Sequence, residues 1–175
     1  MKTVTKSEHC LACKECCKFL EHEKDFAPLF TIDEVKKIKD KVSKSNFSKY
    51  FQTYNSSKNV FQIKLVQSKK DKKFYVCPFL NEKNHFCGIY NERPFDCKTW
   101  PFMLTKSRDK KSIHLVCFEK CYCPSINNMQ NKEFEDYKKY IIKLLTSKKY
   151  INLIKKFPDL VWNEEEDFFF IRDMK

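Results

Sequence analysis

Residues 10–17 read Cys10-Leu11-Ala12-Cys13-Lys14-Glu15-Cys16-Cys17, four thiols in eight residues. Two cysteines separated by two residues can both face one ion, because the turn between them points both sulfurs inward. Zinc takes four such ligands tetrahedrally at about 2.3 Å. A [4Fe–4S] cluster takes one sulfur per iron, and Cys-x-x-Cys-x-x-Cys is the local part of the bacterial ferredoxin run, which ends in Cys-Pro. Here proline follows two remote cysteines instead, Cys77-Pro78 and Cys123-Pro124. Side chains of adjacent residues diverge, so one of Cys16 and Cys17 is expected to serve a second site or a different face.

The other cysteines form two further blocks: Cys77, Cys87 and Cys97, evenly spaced, and Cys117, Cys121 and Cys123. The even block cannot complete a site locally. It needs a partner from the first or third block, so the fold is expected to close around metal. The chain opens Met1-Lys2-Thr3-Val4-Thr5-Lys6-Ser7-Glu8-His9 with no apolar stretch of a secretory signal. That places the expected compartment in the reducing cytoplasm, where ten cysteines rarely mean five disulfides. Ten suffice for two four-sulfur sites with two to spare. Cys117, on an apolar alternation, reads as a structural thiol at least as well as a ligand. Cys121 reads either way. Of the histidines His9, His22, His85 and His114, His85 is the best substitute ligand, two residues before Cys87.

The 175 residues fit one domain, read here as α+β over 1–175. Thr31 and Glu34 make a capping box ahead of Ile32, Val35, Ile38 and Val42 at near-helical spacing. A short helix is predicted over 46–54, with Phe47, Tyr50, Phe51 and Tyr54 on one face. Residues 59–67 alternate as a half-buried strand, with Lys72 to Val76 as its hairpin partner across Ser68-Lys69-Lys70-Asp71. Ile113, Leu115 and Cys117 alternate as another strand. Residues 129–157 read as helix along Phe134, Tyr137, Ile141, Leu144 and Leu145, extended by Ile151 and Ile154 and ended by Pro158. The tail carries the acidic run Glu164 to Asp167, then Phe168 to Ile171, which must pack somewhere.

Past the first block the sequence runs Cys77-Pro78-Phe79-Leu80, then Cys87-Gly88-Ile89-Tyr90-Asn91-Glu92-Arg93-Pro94, then Cys97-Lys98-Thr99-Trp100-Pro101-Phe102. With Cys10 to Cys17, these words resemble the CxxCxxCC cysteine-cluster family of zinc- or iron-chelating, YkgJ-like proteins. The resemblance spans roughly residues 8–125, leaving 126–175 as a helical extension. It implies a metal site built from the cysteine blocks that holds zinc or an iron–sulfur cluster; our own reading puts [4Fe–4S] ahead of zinc, in one or two sites. The ligand candidates are Cys10, Cys13, Cys16, Cys17, Cys77, Cys87, Cys97 and Cys123. Relatives of the family include flagellin lysine N-methylases, associated with an iron–sulfur cluster. This chain departs from the family by Lys14 and Ser125, where glycine is frequent. The single glycine of the chain, Gly88, stands directly after Cys87, and its backbone is a candidate contact of the centre. Pro94 suits the first turn of a helix holding Cys97 and Trp100. Arg93 is placed to balance a net-negative thiolate centre by hydrogen bonds from behind the ligands.

Composition narrows the alternatives. No apolar run approaches the roughly 18 residues of a membrane span, so no membrane partner is expected. One glycine cannot supply a phosphate loop or dinucleotide fingerprint. A methyltransferase, or the accessory of one, acting on protein lysine would therefore need an unfamiliar cofactor pocket. The net charge of +12 is carried by lysine, with Arg93, Arg108 and Arg172 the only arginines. Scattered lysine without arginine forks makes a zinc-ordered nucleic-acid binder the weaker alternative. A protein partner and the oligomeric state stay open.

Overall fold

The computed structural model describes residues 17–118, 131–163 and 168–174. It is α+β: short helices with three small antiparallel sheets among the described residues. These residues divide into two compact units, 17–98 and 99–174.

The first unit carries two sheets. In one, β2 (Leu29–Thr31) and β3 (Phe51–Thr53) flank β4 (Val60–Ile63). All four β4 residues are buried, where alternation predicts a half-buried strand. Its polar residue is covered rather than solvated. Gln62 donates from Nε2 to the Asp25 and Ala27 carbonyls, at 2.7 and 3.1 Å, and accepts from Gln52 through Oε1. A buried amide with its bonds made can stand in a core, so period two fails as a guide to burial here. Over the other face lie Phe30, Val35, Ile38, Val42, Phe51, Phe61, Ile63 and Ile89. Phe47 joins them, its ring edge-on to Phe61 at 4.9 Å.

Helix α1 (Ile32–Lys37) starts as read from its capping box. Thr31 Oγ1 accepts from the Glu34 N–H at 3.2 Å, and Glu34 Oε2 accepts from the Thr31 N–H at 2.9 Å. The helix predicted over 46–54 is one turn only, α2 (Phe47–Tyr50), after which Phe51 enters β3. The β-branched and aromatic residues that follow are claimed by pairing with β4, which outweighs local helical spacing.

The second sheet orders β1 (Lys18–Phe19), β6 (Tyr75–Val76) and β5 (Val66–Gln67). The hairpin across Ser68–Asp71 exists, but it joins β6 to β5 alone. The stretch 59–67 is two strands in two sheets, broken at Lys64 and Leu65. On its other side β6 takes β1, with Lys18 opposite Val76. Helix α3 (Phe95–Thr99) closes the unit directly after Pro94.

In the second unit β8 (Ile113–Phe118) lies between β7 (Phe102–Lys106) and β9 (Phe168–Asp173). Phe168 to Ile171 thus pack by strand pairing; the acidic run 164–167 lies outside the described residues. The predicted long helix is two helices, α4 (Asn131–Leu145) and α5 (Lys148–Lys156), with residues 129 and 130 outside the described range. Thr146 and Ser147 turn their hydroxyls back onto the Ile142 and Leu144 carbonyls, which competes with helix propagation. The stripe resumes on Tyr150, which is buried, rather than Ile151, which is exposed. No described helix is long and apolar enough to cross a membrane.

Candidate metal centre

Cys17 directly precedes β1 and Cys77 directly follows β6. The antiparallel register therefore sets them opposite one another, and the Cys77 N–H donates to the Cys17 carbonyl at 3.1 Å. Sixty residues of sequence separate the two, and only the strand pairing joins them. Cys77 then opens a tight turn, Cys77-Pro78-Phe79-Leu80, closed by the Leu80 N–H on the Cys77 carbonyl at 2.9 Å. The backbone N–H groups of Phe79 and Leu80 favour the Cys77 thiolate, against the burial that opposes it. Amide donors of this kind stabilise a thiolate.

Cys87 opens a similar turn. The Tyr90 N–H donates to its carbonyl at 3.2 Å, and Leu80 and Cys87 form an isolated antiparallel bridge. Gly88 sits in this bridge, its N–H on the Phe79 carbonyl at 2.8 Å. A Cβ on Gly88 would stand 3.3 Å from that oxygen, a backbone atom with little room to give, so the close approach favours glycine here without a positive φ. Arg93 stacks its guanidinium 3.9 Å from the Tyr90 ring centroid and donates from Nε to the Tyr90 carbonyl at 3.1 Å. It braces the turn from Cys87 to Pro94.

Two carboxylates seat Cys97. Glu34 Oε1 accepts the Phe95 N–H at 2.6 Å, while its other oxygen caps α1. Asp96 Oδ2 accepts the Leu29 N–H at 3.0 Å, tying α3 to β2. Sequence reasoning found Glu34 only as a cap and missed Asp96. The Arg-Pro-Phe-Asp-Cys word, with an acid beside a ligand candidate, was the available signal.

Cys17, Cys77 and Cys87 lie within electrostatic reach of Cys97. Burial pushes the Cys97 thiol well above its usual range, and Cys17, Cys77, Asp96 and Cys87 push the same way. Cys77 is pushed up to about 12, first by burial, with Cys87 adding to it against the two N–H donors. Protonated thiols are the expected state of such a set without a cation; a bound cation reverses the balance and expels the protons. Lys98 is held below the usual ammonium range by burial, with Lys37 and Arg93 adding to the effect and Glu34 and Cys97 opposing it. Positive charge thus stands beside Cys97.

Cys10, Cys13, Cys16, Cys121 and Cys123 lie outside the described residues. Among the described residues, no three His, Cys, Asp or Glu side chains are gathered closely enough to hold an ion by themselves. Cys117 is buried on β8, its thiol raised to about 12 by burial alone. His22 is exposed, His114 stands 3.2 Å from Asp173 in the second unit, and His85 takes a positive φ of 61°. The donors within reach of Cys97 are the sulfurs of Cys17, Cys77 and Cys87 and the Asp96 carboxylate. Soft thiolates suit zinc or iron–sulfur clusters and not magnesium or calcium, so the residues present fit the group the sequence implies.

Fold and site together define a small α+β protein in which strand pairing sets Cys17 opposite Cys77, and tight turns open at Cys77 and Cys87. Residues 9–139 match the CxxCxxCC family, described as "Putative zinc- or iron-chelating domain", and the chain belongs to that family. No curated protein and no solved structure matches the chain.

Proposed function

We propose that this protein holds a cysteine-ligated iron–sulfur cluster of the [4Fe–4S] type, with zinc as the alternative occupant of the same thiols. The observation that carries the reading is the β1–β6 register, which sets Cys17 of the first block against Cys77 of the second. Cys87 and Cys97 lie within electrostatic reach of that pair, and the Phe79 and Leu80 N–H groups favour the Cys77 thiolate. Cys10, Cys13, Cys16 and Cys123 are the proposed further ligands. Arg93 is proposed to offset the negative charge of the loaded centre while it braces Tyr90. The Cys-x-x-Cys-x-x-Cys run favours the cluster over zinc. When bound, a cluster supplies electron transfer or structural cross-linking. The chain's own part is to present the thiolates, to donate N–H groups to sulfur and to keep positive charge alongside. Lysine methyl transfer and nucleic-acid binding stay second, because neither draws on this cysteine arrangement.

Protein purified without oxygen decides between the occupants. Broad visible absorption with matching iron and acid-labile sulfide is expected. Colourless protein with stoichiometric zinc and no sulfide would replace the cluster by zinc, and protein that takes up neither would overturn the reading.

A further inference from the structure

The Tyr90 hydroxyl is buried and has no hydrogen-bond partner among the described residues. Its ring is held by Arg93 on one side, and its own N–H closes the turn on Cys87. Buried polar groups are almost always paired, and an unpaired one calls for an unseen ion, water or ligand group as its partner. Nothing about the fold requires a hydroxyl here, since phenylalanine would fill the same space. Tyr90 also lies in the same compact unit as the four thiols, three residues after Cys87 and seven before Cys97. A thiolate or sulfide is an acceptor only, and each one buried in a metal centre gains from a donor aimed at it.

We infer that Tyr90 is a positioning residue of the metal centre, its phenol O–H donating to a centre sulfur once metal is bound. This rests on the metal-holding reading above. Arg93, stacked on the ring, then acts on the centre through Tyr90, fixing where the hydroxyl points.

Tyr90→Phe deletes only the oxygen. Full-length wild type and variant would be loaded in parallel, with zinc and with ferrous iron plus sulfide under anaerobic conditions. Metal loss to excess chelator and thermal melting of the metal-free and loaded forms would then be followed. The metal-free variant is expected to melt at the same or a higher temperature, because an unpaired buried hydroxyl has been removed. The loaded variant is expected to lose metal on the order of tenfold faster, the factor that one hydrogen bond to a charged acceptor carries. Tyr50→Phe, which removes another phenol from the same unit beside Phe79, serves as the control and should leave the rate unchanged. Loss from Tyr90→Phe at the wild-type rate would overturn the inference while leaving the metal reading intact. So would equal acceleration in Tyr50→Phe, which would signal packing. Wild type that binds neither zinc nor iron would overturn both.

Discussion

Cys77 and Cys117 are both buried thiols pushed up to about 12, yet their surroundings differ in kind. The Phe79 and Leu80 N–H groups pull the Cys77 thiol down against its burial, and Cys87 pushes it up; at Cys117 burial is the whole cause. A site that supplies donors to sulfur is built for a thiolate, whereas an apolar pocket is built for a thiol. Cys77→Ser is therefore expected to lower bound metal sharply, and Cys117→Ser to leave it unchanged, as read by metal analysis of the purified proteins. Titration tests the buried thiol of Cys117 directly. The Cys117 thiol ionises near 9.0 when unfolded and near 12 when folded. Its contribution to stability is whole below pH 9 and is lost as pH rises toward 12, since only the unfolded chain sheds the proton in that window. The slope is about 1.4 kcal/mol per pH unit for one such group. Metal-free Cys117→Ala should lose stability less steeply than wild type between pH 9 and 11 in urea unfolding; parallel slopes would refute the assignment. The spacing of the cysteines made them legible as candidate ligands in the sequence. It could not show that Cys117 lacks donors, or that the Tyr90 hydroxyl is left unpaired, because both depend on what the fold brings alongside.

Helix α3 has only five residues, too few to hold itself in place. Glu34 and Asp96 do that work: one carboxylate takes the Phe95 N–H while capping α1, the other takes the Leu29 N–H at the start of β2. Glu34→Ala removes both ends of one bracket. It is expected to cost roughly 1–2 kcal/mol of stability, the range of a lost helix cap, and to lower metal retention, because Cys97 rides on α3. Glu34→Gln keeps a hydrogen-bonding side chain and should recover part of both, as read by urea unfolding and metal analysis together. A drop in stability with metal retention unchanged would show that α3 is placed by other contacts. The capping box was legible because it is local, four residues with one geometry. The same glutamate's reach to Phe95 was not, since the two are 61 positions apart. Strand partners failed for the same reason: alternation marks a strand and says nothing about its neighbour, so 59–67 read as one strand although it serves two sheets.

Across the whole molecule, the two units each bury their own apolar residues. Phe30, Phe51, Phe61 and Ile63 lie in the first, and Phe102, Leu115, Ile141 and Leu160 in the second. Cys17, Cys77, Cys87 and Cys97 all lie within 17–98. The sheet that carries Cys17 and Cys77 is small, since β1, β5 and β6 have two residues apiece. Strands so short cannot hold themselves, and a two-stranded pairing alone is marginal in water. By contrast β7, β8 and β9 run five to six residues each. Metal binding is therefore expected to contribute much of the stability of the first unit and little of the second's, since a structural site adds its binding free energy to folding. Hydrogen exchange on the loaded and chelator-treated protein reads this directly. After metal removal, amides of β1 and β6 should exchange faster by orders of magnitude, while those of β7 and β8 keep most of their protection. Uniform loss across both units would show that they fold as one cooperative block. Unchanged protection of the Cys77 and Val76 amides would show that the cysteine turns stand without metal.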